Sequence, residues 1–372
     1  MQFFTGGKMR RVFIVMITVI IVFITVSPLG AYADEYYDAG AEITQDIDDA
    51  LADFDLGIGY DDISDLSLND ITQLLRDKIL SRTAGPLRML TAVMLTVILT
   101  AVINSAAGSS LSGTSGELYN MVSVIAAVTV MAPQLLEVCE STLTDIEICG
   151  DFILVFVPVF SGVALLSGSL TTAGVYHALI LGASEMIIKL SESYLLPVIG
   201  ISAALAISGS VFPHSSVDSI SALLKKTVTW TVSIVMSLFT GFVTLKCSIT
   251  GKADGAAAKT AKMLISGTIP IVGGAVSDAY STVKGSFEVI GGTIGAAGIV
   301  AIILMVLPKV IELFMYRAVM WAGAAVADVF SLTSVSKLLR SFDSGLSIAQ
   351  CVLVSYSLMF MISSAILAQT FS

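Results

Sequence analysis

The chain has 372 residues, of which 55 % are hydrophobic and 13 % charged. One soluble core cannot hide that much apolar surface, so a soluble globular protein is excluded and a multi-pass membrane protein is indicated. The formal net charge of −10 excludes a basic nucleic-acid face, because the excess lies in one acidic segment that would repel phosphate.

The bases Lys8, Arg10 and Arg11 precede the apolar run Val12 to Val26, which Ser27, Pro28 and Gly30 end ahead of Ala31-Tyr32-Ala33. Residues 1–33 therefore read as a secretory signal peptide, with Ala31 and Ala33 at the small positions of the cleavage site. An uncleaved anchor is the alternative. Either way, the chain after Ala33 is expected to begin outside the cytoplasm. From Asp34 to Asp70 there are thirteen acids and no base. Apolar residues recur there at three and four, which predicts short amphipathic helices in an extracytoplasmic segment over residues 34–85. The last of these, Leu66 to Arg82, is expected to lie along the membrane surface and lead into the first span.

Residues 86–372 read as an all-α membrane domain, a polytopic transmembrane helical bundle of about eight spans. Those spans are Leu87–Ala107, Tyr119–Val138, Phe152–Leu170, Leu195–Phe212, Thr227–Leu245, Phe287–Leu307, Val310–Phe330 and Ile348–Phe371. Glu140, Asp145, Glu147 and Asp151 are placed in a loop after the second span. Ala173–Leu190 is shorter, carries His177, Glu185 and Lys189, and is expected to be interfacial or re-entrant.

Three places share a wording: Pro158 with Gly162, Pro197 with Gly200, and Pro270 with Gly273 and Gly274. Proline removes a backbone donor and adjacent glycines loosen a helix, so each place is expected to break its helix. Polar backbone freed at membrane depth is tolerated only beside protein or water, and broken helices are how transporters line a cavity. The stretch from Met263 to Pro308, a broken apolar segment leading into a whole one, is the strongest instance.

Ionisable residues inside spans are costly and mark function or a satisfied polar contact. Glu185, Glu312, Arg317 and Asp328 are the candidates. Arg317 is the least able to reach water, and Glu312 or Asp328 are its nearest acids in sequence. No catalytic set emerges: Cys139, Cys149, Cys247 and Cys351 are too scattered for metal spacing, His177 and His214 lack acids nearby, and no phosphate-binding loop or HExxH is present. No cofactor and no enzymatic activity are expected. The small residues of Gly291–Gly298 and Ala318–Ala327 predict close helix packing, within the chain or between copies in a homo-oligomer.

The order of a signal peptide, an acidic lead, the segments FVPVFSG, YLLPVIG and TIPIVGGAVSDA, and a final YSLMFMISSAI span resembles the stage III sporulation protein AE family of endospore-forming Firmicutes, over essentially the whole chain. The resemblance implies a multi-pass protein of the mother-cell membrane around the engulfed forespore. It also implies membership of a channel or feeding-tube complex with other products of the same operon, a partner ATPase and a forespore-side protein. Two other expectations compete with that one. The first is a stand-alone secondary transporter of a small solute, and the second is a structural scaffold that anchors other membrane proteins.

Overall fold

The computed structural model describes residues 68–107, 114–190, 217–268 and 273–369, together with positions 197, 200, 201, 204 and 208. The signal-peptide positions Ala31 and Ala33, most of the acidic segment, and Pro270 lie outside the described residues. Among the described residues seven helices have defined bounds and follow in order. They are α1 (Leu68–Ser81), α2 (Ala84–Ala107), α3 (Thr114–Leu166), α4 (Leu170–Leu190), α5 (Val217–Thr268), α6 (Gly273–Val329) and α7 (Thr333–Ala368). Among the described residues there is no strand, and six helices are long and apolar enough to cross a membrane. The chain is an all-α, multi-pass membrane bundle.

Two pairs of expected spans turn out to be single helices. Tyr119–Val138 and Phe152–Leu170 both fall largely on α3, whose 53 residues would reach about 80 Å at 1.5 Å per residue. Phe287–Leu307 and Val310–Phe330 likewise fall on α6, 57 residues long. The acidic stretch between the first pair is helical, because its apolar residues keep the helical spacing: Leu143, Ile146, Cys149 and Ile153 are buried while Glu140, Thr144, Glu147 and Asp151 face outward. The break expected at Pro158 and Gly162 is also absent, since both lie within α3. Pro133 and Pro158 are exposed and Pro308 is buried, yet each lies within a continuous helix, at the cost of one backbone bond and of crowding against the carbonyl four residues before it. Pro197 and Gly200 are helical and exposed, and Gly273 and Gly274 open α6. Ala173–Leu190 belongs to a 21-residue helix, α4, that is long and apolar enough to cross a membrane.

Helix ends are set by local chemistry. At the α3 to α4 turn Gly168 takes φ 87°, while the Ser169 amide donates to the Ala164 carbonyl (2.9 Å) and the Gly168 amide to the Leu165 carbonyl (3.0 Å). This paired closure needs a left-handed residue after the last helical turn, which glycine adopts without penalty. The α6 to α7 turn repeats the closure with Ser331 at φ 58° and Leu332 donating to Ala327 at 2.8 Å. There a β-carbon occupies a conformation that disfavours it.

Contacts along the helices fix their directions. Phe156 and Phe160 of α3 face Gly298 and Gly295 of α6, so these two helices run antiparallel. Val93 of α2 meets Gly323, while Gly85 meets Tyr316, so α2 runs parallel to α6. α6 and α7 form an antiparallel hairpin, as do α3 and α4, where Ile188 packs over Gly150. Leu179 of α4 packs with Val243 of α5. The centre of the core is a column of rings: Phe152, Phe156 and Phe160 succeed one another at 5.5 and 5.4 Å, Phe160 meets Tyr176 edge-on at 5.7 Å, and Phe360 stands against Phe156 at 5.6 Å. Aromatic rings seated over glycine let α3 and α6 approach closely, as small residues do in membranes generally.

Any side chain at Gly298 must therefore displace the Phe156 ring. We expect Gly298→Leu to cost about 1–3 kcal/mol, measured as a lowered thermal midpoint of the full chain in detergent. Gly162→Ala, where a β-carbon meets nothing within 4 Å and alanine favours the helix interior, is expected to hold or slightly raise the midpoint.

Candidate functional site

Midway along α3 and α6, four charges meet around one buried lysine. Lys309 follows the buried Pro308 on α6 and is 1 % exposed. Its Nζ donates to Ser141 Oγ at 2.6 Å and lies 3.4 Å from Asp145 and 3.3 Å from Glu312. Arg82, in the turn between α1 and α2, donates to both carboxylate oxygens of Asp145 at 3.1 and 3.2 Å, and to Glu312 Oε2 at 3.1 Å. Two bases thus meet two acids, so the cluster sums to zero charge around Lys309, its one fully buried member, where an unpaired ammonium would be costly. The arginine fork suits the bidentate contact to Asp145, and the compact ammonium of Lys309 suits the narrow space between α3 and α6.

Local sequence explains how each group arrives there. Lys309 and Glu312 stand three apart on α6 and share a face. Asp145 projects inward from α3 because it sits one position before the buried Ile146, on the rim of the buried stripe. Arg82 is carried in by α1, whose Ile71, Leu74 and Leu75 pack on the main core. Together the four residues fasten the start of α2, the middle of α3 and the middle of α6 at one level, here called the waist.

Only one of the four charges singled out in the sequence, Glu312, belongs to this cluster. Arg317 pairs instead with α7, donating to Asp343 at 2.8 Å and to Gln350 Oε1 at 2.7 Å. The expected partners fail for geometric reasons. Glu312 is five positions away and faces elsewhere, while Asp328 is eleven positions on and about three turns distant. Asp328 binds Arg340 across the α6 to α7 turn at 2.6 Å. Glu185 is exposed and paired with Lys189 one turn along α4, which takes it out of the interior. Lys309, Arg82 and Asp145 were not singled out, although a lysine placed three before a glutamate in an apolar run was a usable signal.

A second polar contact organises the far end of the bundle. Asp254 of α5 is 7 % exposed and accepts from the Thr171 amide (3.1 Å), the Thr172 amide (2.9 Å) and the Thr172 hydroxyl (2.7 Å). These amides open α4 and have no partner within it, so a carboxylate from another helix supplies the missing acceptors and complements the positive end of the dipole.

A family model described as Stage III sporulation protein AE matches residues 59–370. The chain is similar to Stage III sporulation protein AE of Bacillus subtilis (strain 168), at 23 % identity over 222 residues, which cover 60 % of this chain and 56 % of that protein. The match thus spans little more than half the length of that relative. No solved structure matches.

Removing one partner of the waist cluster leaves an unbalanced buried charge. Lys309→Met is expected to destabilise by about 3–5 kcal/mol. Adding Glu312→Gln restores neutrality with Arg82 and Asp145 still paired, so the double variant should recover part of that loss. Denaturant titrations of the three proteins in detergent measure the coupling; strictly additive losses would show that the charges act independently.

Proposed function

Because this chain belongs to the stage III sporulation protein AE family, and so has a role in sporulation, we propose that it is a membrane subunit of a multiprotein channel complex joining mother cell and forespore. It would reside in the mother-cell membrane around the forespore, with the acidic segment facing the space between the two membranes. Other membrane proteins of the complex, a partner ATPase and a forespore-side protein are its proposed partners, and no reaction is assigned to the chain itself.

The observation that supports a subunit rather than a lone protein is the outer face of α5. Only 6 % of its most apolar stretch is buried, against 33–56 % for the other five spanning helices. That face is also unlike a lipid face. Ser237, Gly241, Thr244 and Ser248 are exposed along one side, beside an apolar row of Ile234, Leu238, Leu245 and Ile249. By contrast the exposed side of α2 is mainly aliphatic, with Leu95, Ile98, Leu99, Val102 and Ile103. Small and hydroxyl-bearing residues at helical spacing favour helix against helix in a membrane, where apolarity alone gives no preference.

A stand-alone secondary transporter of a small solute is the second reading, favoured by the compensated charges around Lys309, which resemble the paired ionisable groups of ion pathways. Transport of a solute by the purified full chain in liposomes, driven by an ion gradient and without partners, would favour it.

The two readings separate on recovery from sporulating cells. The tagged full chain is expected to co-purify with other membrane proteins, whereas recovery of the chain alone would overturn the complex. Gly241→Leu, at a position where a β-carbon meets nothing within the chain, is expected to lower that recovery about ten-fold, roughly 1.4 kcal/mol of association, with its own membrane level unchanged.

A further inference from the structure

Two helices outrun the rest of the bundle at the end opposite the α6 to α7 turn. Asp254 of α5 accepts from the Thr171 and Thr172 amides that open α4, so α5 is level with the α3 to α4 turn there and continues beyond it through residues 255–268. α6 begins at Gly273 and comes level with the same turn only near Glu288, since Phe160 lies over Gly295 and α3 ends six residues later at Leu166. α7 stops short of that turn, because Ala368 also meets Gly295. Among the described residues, the end of α5 and the start of α6 therefore form an arm that stands past the other helices by about 21 Å, the rise of fourteen helical residues.

The outer side of this arm is basic. The exposed line of α5 that carries Leu245 and Ile249 continues at helical spacing through Lys252, Ala256, Lys259 and Met263, with Lys262 beside it. Among the described residues none of these three lysines has a carboxylate within ion-pair distance, whereas Lys284 on α6 is matched by Glu288 at 3.6 Å. The exposed residues between them are small: Ala253, Gly255, Ala256 and Ala257. Such residues let a second helix approach closely.

We propose that this arm receives the chain's own acidic segment, residues 34–67. The charges are complementary, since those residues hold twelve acids and no base. Asp38, Glu42, Asp46, Asp49 and Asp53 recur at four and three, so a helix over them would present one acidic face, and Glu42 and Asp49 have the seven-residue spacing of Lys252 and Lys259. The length of chain fits as well. α1 packs against α6 rather than back along α2, and from the waist at Glu312 to Glu288 the path along α6 is about 36 Å. Residues 54–67 alone cover about 46 Å when extended.

An anionic bilayer surface fits this row of lysines less well. Lys252 to Lys262 extend over about 15 Å along the bundle, twice the roughly 5–7 Å of one headgroup layer. Four spanning helices, α2 to α5, separate the segment from the arm, and four crossings return the chain to the side on which it begins. The inference rests on the placement proposed above only for which space that side faces, and does not depend on the complex.

A carbodiimide, which joins carboxylate to amine without a spacer, tests this on the purified full chain. Links from Lys252, Lys259 or Lys262 to acids of residues 34–67 are expected within single chains. Raising salt from about 0.1 to 1 M, which shortens the Debye length from about 10 to 3 Å, is expected to cut their yield about five-fold. Lys259→Glu combined with Lys262→Glu should expose the segment to an acid-specific protease about ten-fold faster, because cleavage follows the undocked population; the unaltered chain at high salt gives the same reading if that variant fails to accumulate. Several results would overturn the proposal: lysines that form no such links, links that run only between copies of two isotopic masses, or lysines shielded by anionic vesicles in place of the segment. Asp49→Cys and Lys259→Cys thiols that react with an impermeant maleimide from opposite sides of native membranes would do so too. A complex recovered from sporulating cells whose chain carries no such links would sink this inference and leave the proposed function standing; links within a chain recovered alone would do the reverse.

Discussion

A buried ammonium dictates much of this architecture. Lys309 sits where water does not reach, so its charge must be matched within the protein, and the matching acids come from its own helix and from α3. Two carboxylates against one lysine would leave a negative excess, which Arg82 removes. Neutrality therefore requires three segments far apart in sequence to meet at one level. Such a cluster adds little net stability compared with apolar residues of the same volume. Its contribution is registry: three helices that could slide along smooth aliphatic surfaces are held at one height.

The polar contacts at the bundle ends apply the same logic with partial charges. Asp254 accepts from amides that begin α4, which gives α5, the least buried of the spanning helices, a polar anchor in addition to the apolar contact of Val243 with Leu179. Arg317, Asp343 and Gln350 do likewise for α6 and α7. Between these contacts the interior is aliphatic and aromatic, and the ring column of Phe152, Phe156 and Phe160 fills the space that glycine leaves on α6. Membership of the stage III sporulation protein AE family fits a protein whose surface is less finished than its core, since α5 leaves a hydroxyl-lined face uncovered.

The sequence announced the helical, membrane-spanning class directly, because apolar runs of spanning length need no partner to be recognised. It also located close packing correctly at Gly295, Gly298 and Gly323, where small residues cluster. Proline misled. Pro158 reads as a break, yet α3 continues through it as α6 continues through the buried Pro308, because packing on neighbouring helices outweighs the lost bond, and a linear sequence does not show that packing. The acids from Glu140 to Asp151 misled in the same manner. They resemble a loop until the buried Ile146, Cys149 and Ile153 between them are seen to form a stripe. Charge pairing was the least legible feature, since Arg82 and Glu312 are 230 positions apart and only the fold brings them together.

The glycines that receive Phe156 and Phe160 have a bearing on movement. Gly291 and Gly292 continue the ladder of Gly295 and Gly298, so advancing α6 by one turn would again offer each ring a hollow, about 5.4 Å further along. Only a displacement of α6 by a whole turn would therefore reseat both rings over glycine. What selects the observed notch is the ionic clasp at Lys309, which has no second seat one turn away.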